Sequence, residues 1–171
     1  MTEDPTPAKP ESTAQPFRPR TFLVVVDRTP EMRVALAYAC ERARNTQGRI
    51  ALLHVIEPDT MEISATVQKL IEEEQRAEGE KLLNEAATQV EAQIGAPPVR
   101  FLRKGKAAEE LVKLVNDEPE ISVLMMGAGA EPEGLGPLLT HLMSGAVGRL
   151  RVPVMVVPGS LTIDQIKDLG R

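Results

Sequence analysis

Aromatic residues are nearly absent from this 171-residue chain, which has no tryptophan, one tyrosine and three phenylalanines. Surfaces that bind nucleic acid combine clustered Lys and Arg with aromatic platforms, and no basic cluster here is interleaved with aromatics. With a formal net charge of −5, the chain is expected to have no nucleic-acid partner. Cys40 is the only cysteine, so an intrachain disulfide is excluded, and its place among apolar helix positions marks a packed thiol rather than a nucleophile. No apolar run approaches the ~18–20 residues that a membrane helix needs, and the N-terminus lacks an apolar signal core. The expectation is a soluble, cytoplasmic protein with no membrane partner.

Hydrophobic residues make up 42% of the chain and charged residues 26%, which suits one globular domain with a tail. Residues 1–20 are proline-rich, of mixed charge and without an apolar pattern, so they are read as a disordered tail that cannot repay the entropy of ordering. At Thr21 the composition changes to TFLVVVD, a continuous apolar run rich in β-branched residues and typical of a strand buried on both faces. Thr29 as N-cap, Pro30 at the first helical position and Gly48 past the end bracket the next helix.

RIALLHVI is the second strand. Asp59 with Glu62 predicts a capping box for a long helix, whose apolar positions Ile63, Val67, Leu70, Ile71, Leu82, Ala86, Val90 and Ile94 keep helical spacing up to Gly95. Gly79 within it permits a kink. VRFLRKG reads as the third strand, residues from about Lys106 to Asn116 as a helix, and ISVLMMG as the fourth strand. Pro137 then starts a helix with a stripe at Leu138, Leu139, Leu142, Met143, Ala146, Val147 and Leu150, and PVMVV is the fifth strand. Strict alternation of short apolar strands with helices predicts an α/β fold, a single doubly wound domain over residues 21–159 with a five-stranded parallel sheet covered on both faces. Residues 160–171 form a C-terminal extension in which Thr162 and Gln165 signal a short helix or a frayed end.

The stretch from Ile121 to Gly159 bears most directly on function. A buried strand that empties into a glycine-studded loop and then a helix start is how open α/β sheets build a ligand crevice, because glycines let backbone N–H groups approach an anion. Asp27, at the carboxyl end of the first strand, stands where such sheets bind ligands, although capping the next helix is a sufficient structural reason for it.

FLVVVDRTPEMRVALAYACERA, ALLHVIEP and VLMMGAGA followed by VPVMVV together resemble the universal stress protein family, across about residues 21–159. The resemblance implies an adenine nucleotide alpha hydrolase-like fold, a homodimer that often forms through the last strand and, in one branch, binding of ATP or AMP. It also implies that Asp27 faces the ribose or adenine edge, that Val55 flanks the base, and that Met126 and Gly127 contribute backbone and packing. The ATP-binding branch carries Gly, two residues, Gly, nine residues, then Gly followed by Ser or Thr. Aligned on Gly127, this chain has Ala130, Thr140 and His141 at the other three positions. Ala130 adds a Cβ where glycine permits close phosphate approach, and Thr140 and His141 add bulk. Glu131 and Glu133 stand in the same loop, where an unpaired carboxylate costs a nearby phosphate about 1–4 kcal/mol. ATP binding is therefore expected to be weak or lost.

Other chemistries fit less well. DRTPEM follows the first strand where a dinucleotide fold needs GxGxxG, no P-loop is present, and a phosphoacceptor domain would need more acids than Asp27 at the strand ends. His54 and His141 are the only histidines; His54 reads as a core residue and His141 as a solvated one, so no metal site or catalytic residue is assigned. Two functions stand at this point. One is a non-enzymatic, homodimeric stress-response protein acting through protein partners that the sequence does not identify. The other is a small-nucleotide sensor that binds AMP or ATP through a loop rearranged around Gly127, Gly129, Gly134 and Gly136.

Overall fold

The computed structural model describes residues 18–129 and 136–171. Most of the proline-rich tail, and Ala130, Glu131, Glu133 and Gly134, lie outside them. Strands β1 (Thr21–Val25), β2 (Arg49–Ile56), β3 (Val99–Lys104), β4 (Ile121–Ala128) and β5 (Val154–Pro158) form one sheet in the order β3-β2-β1-β4-β5. Every pairing is parallel. Chain order reverses between β1 and β4, so the crevice such sheets offer to ligands opens at the carboxyl ends of those two strands.

Alternation along β1 divides the core. Phe22, Val24 and Val26 pack with Leu36, Ala39, Cys40, Leu83 and Val90 of helices α1 (Pro30–Thr46) and α2 (Ala65–Ile94). Leu23 packs on the opposite face with Leu111 and Val115 of α3 (Ala107–Asp117) and Leu139 of α4 (Gly136–His141). This two-sided burial is what a continuous apolar run implies for a parallel strand. Cys40 is a packed thiol, and burial pushes its pKa up to about 12.

Several boundaries differ from the sequence expectation, each for a local reason. The left-handed residue that ends α1 is Gln47 (φ 52°) rather than Gly48. Gly48 is needed for space, since a Cβ there would lie 2.7 Å from the Arg20 carbonyl oxygen. The expected Asp59–Glu62 capping box does not form; Ser64 caps α2, its hydroxyl accepting from the Val67 amide. Val67 and Leu70, expected to face inward, are exposed.

The expected helix beginning at Pro137 ends as an α-helix at His141 and continues as a π turn (Leu142–Ala146) and a 3-10 turn (Val147–Arg149). Gly145 has non-helical dihedrals and the Ser144 hydroxyl donates to the His141 carbonyl, a local bond that competes with the helical ladder. The apolar stripe is broken with it, leaving Leu139, Leu142 and Ala146 buried but Met143 and Val147 exposed. By contrast, both halves of the Thr162–Gln165 capping box are made at the start of α5 (Ile163–Leu169), and α1 holds α5 through hydrogen bonds from Tyr38 Oη to Leu169 and Asn45 Nδ2 to Gly170.

Gly79 does not kink α2, which runs unbroken for 30 residues. The glycine instead lets α2 settle on the sheet, because a Cβ there would lie 2.8 Å from His54 Cδ2 and 2.9 Å from Leu102 Cδ1. Gly79→Ala removes a helix-interior glycine, which alone favours the helix by about 1 kcal/mol, but overpacking costs about 1–3 kcal/mol. The expected outcome is a net loss of about 1 kcal/mol in urea denaturation; a gain would show that the His54 ring yields freely.

Candidate functional site

The crevice is built from the turn that joins β1 to α1. Asp27 Oδ1 accepts from the Thr29 amide at 2.8 Å and from the Thr29 hydroxyl at 2.6 Å. The same hydroxyl accepts from the Met32 amide at 3.3 Å as the N-cap of α1. Asp27 is thus fixed by an Asx-type turn; it does not itself cap α1, the role anticipated for it, because Thr29 supplies the cap and Asp27 holds Thr29 in place. Its other carboxylate oxygen makes no hydrogen bond among the described residues. Behind it, His54 Nδ1 lies 2.8 Å from the Val26 carbonyl. A carbonyl only accepts, so Nδ1 carries the proton, and His54 fastens the end of β1 to β2.

A cavity of about 320 Å³ at the β1–β4 switch is lined by Asp27, Met126 and Gly127 together with Thr29, Glu31 and the start of α4 at Gly136–Leu139. A second cleft, of about 510 Å³, lies on the other side of Asp27, with Val55, His54 and Ile71 in its wall. The structure therefore gathers Asp27, Met126 and Gly127, and sets Val55 across Asp27 from them. Thr140 and His141 are both exposed and line neither cavity, because α4 turns Leu138 and Leu139 inward instead. Met126 is buried in the α3-side core as well as reaching the cavity.

Glu31 was not singled out in the sequence. A Cβ at Gly127 would collide with the Glu31 carbonyl oxygen and lie 2.9 Å from Glu31 Cβ, and one at Gly159 would lie 2.7 Å from Glu31 Cγ. The first turn of α1 therefore occupies the open face of Gly127, and the Glu31 side chain wedges between the ends of β4 and β5. Its sequence context, an acidic residue in the first turn of α1, suits any helix start and gave no signal of this contact. The β4 cavity is acidic in consequence. Asp27 and Glu31 are the charged residues among its described lining, with no Lys, Arg or His there.

Residues 19–158 match the sequence model of the universal stress protein family. The chain belongs to that family. No curated protein sequence matches it. Among solved structures, the universal stress protein UspA from Lactobacillus plantarum superposes with a TM-score of 0.68 at 17% identity, covering 82% of this chain and 99% of that one. A universal stress protein family protein from Arabidopsis thaliana with AMP bound gives 0.60 at 20% identity, covering 82% and 92%. A universal stress protein in complex with cAMP gives 0.60 at 17% identity, covering 84% and 100%. At these identities the likeness concerns the α/β fold. In this universal stress protein Gly127 is pressed against its own helix.

Gly127→Ala separates a structural role from a ligand role. With α1 backbone in the way, the substitution is expected to cost about 3 kcal/mol of stability in nucleotide-free protein by chemical denaturation. Unchanged stability would mean that the glycine serves only a ligand.

Proposed function

We propose that this protein is a non-catalytic stress-response protein that works in the cytoplasm as a homodimer through protein partners, with triphosphate binding weak or lost. The observation that carries the reading is the β4 cavity, in whose described lining Asp27 and Glu31 are the charged residues and no cation stands among them. Each unpaired carboxylate within a few ångströms disfavours a phosphate by about 1–4 kcal/mol. Thr140 and His141, which stand at phosphate-contacting positions by alignment, point elsewhere.

The sheet edges support the dimer. β3 carries Arg100, Arg103 and Lys104, charges of the kind that discourage edge pairing, whereas β5 reads VMVVP with Val156 exposed. The alternative, an AMP or ATP sensor, draws on the relatives solved with AMP and with cAMP and on Asp27, Val55, Met126 and Gly127 lining adjoining cavities.

Two measurements decide between these readings. Isothermal titration of nucleotide-stripped protein with ATP and AMP, with and without magnesium, is expected to show no saturable ATP binding below millimolar concentration; micromolar binding lost in Asp27→Ala would establish the sensor. Light scattering after size exclusion is expected to give a dimer at micromolar concentration and a monomer for Val156→Glu. A wild-type monomer would end the dimer proposal.

A further inference from the structure

Helix α2 outruns the sheet on which it packs. Its second half is buried at Gly79, Leu83, Ala86, Ala87 and Val90, with Gly79 set against His54 and Leu102. Among the described residues, none from 65 to 78 is buried: Ile71, Glu72, Gln75 and Glu78 are half-buried and the others are exposed. Residues 65–78 thus make about 21 Å of helix that extends past the packed half, over the carboxyl ends of β2 and β3.

This overhang roofs two cavities. A groove of about 350 Å³ takes Lys69, Glu72 and Arg76 from α2 and Leu102 and Lys104 from β3, and the Asp27 cleft takes Ile71, Gln75 and Glu78 from α2. Ile56 and Gln75 line both, so the two meet beneath the overhang.

Little holds it there. Arg28, in the turn after β1, pairs with Glu78, and Lys104 Nζ pairs with Glu72 at 2.9 Å in a hydrogen bond that holds the Glu72 carboxyl below its usual pKa. Every side chain in these pairs is at least 39% exposed, and such pairs contribute little. A helix of this length is marginal on its own in water, and Glu74 and Glu78, one turn apart, repel. Gly79, a weak point in any helical ladder, stands at the boundary between the two halves.

We propose that residues 65–78 form a strap, latched by the Arg28–Glu78 and Lys104–Glu72 pairs, that unwinds as one unit up to Gly79 while the rest of the molecule stays folded. Unwinding merges the two cavities and opens the end of β2 around Ile56, so the strap gates entry to the Asp27 cleft. Lids are drawn from such low-stability units. The gate is independent of whether a nucleotide binds or the chain dimerises.

Native-state hydrogen exchange of the full chain, followed by NMR at urea concentrations below the unfolding transition, tests the strap. Amides 69–78 are expected to share one opening free energy and to exchange at least about a hundredfold faster than those of 83–94, relative to their intrinsic rates. Equal protection in the two halves overturns the strap, and so does protection that climbs residue by residue toward Gly79, the mark of simple fraying. In Arg28→Ala/Lys104→Ala, exchange of 69–78 is expected to rise about threefold or more with 83–94 unchanged; an unaltered rate overturns the latch. Ile56→Cys places a thiol beneath the strap, and the native Cys40 is buried. Its alkylation by a bulky maleimide is expected to accelerate by the same factor when the two ion pairs are removed, and an unchanged rate overturns the gate. The exchange profile of the wild-type chain decides the strap whether or not each variant folds.

Discussion

The approach of α1 to the end of β4 sets most of what is distinctive here. The Asp27–Thr29 turn aims the helix, Thr29 caps it, and its first turn then meets β4 where only a residue without a side chain leaves room, at Gly127. Close packing of this kind makes interiors intolerant of even one added carbon. It also carries Glu31 to the ends of β4 and β5, so the contact that fixes the helix also sets the charge of the adjoining cavity. A glycine that reads as an invitation to a ligand is thereby engaged within the protein.

Charge is partitioned over the carboxyl end of the sheet. Carboxylates are the main charged groups in the linings of the β4 cavity and the Asp27 cleft, while the groove beyond Ile56 draws its cations from α2 and β3. In a chain of net charge −5, that separation produces a local field that overall composition does not suggest. The two sheet edges divide in the same way, β3 charged and β5 aliphatic.

Most of the architecture was legible in the sequence because burial of a parallel strand on both faces leaves a plain mark: FLVV and VLMM are wholly apolar, and IALLHVI is interrupted only by His54. Thr29, Pro30 and the Thr162–Gln165 pair were legible for a similar reason, since capping is chemistry between near neighbours. Asp59 and Glu62 misled because Ser64 offered a competing cap closer to the helix that packs. The stripe after Pro137 misled because spacing reports which residues could share a face, and Ser144 and Gly145 prevented the helix from continuing long enough to present it. Asp27 lines both cavities at the end of β1, but Glu31 was hidden among residues that suit any helix start.

The order of strands and helices, the two-sided core and the membership of the universal stress protein family were determined by the sequence, because each depends on local periodicity or on motifs read in order. Tertiary structure alone decided what Gly79 and Gly127 are for and which charges line which cavity. Those outcomes depend on contacts between residues far apart in the chain, and a pattern along one dimension holds no record of which side chains will share a cavity.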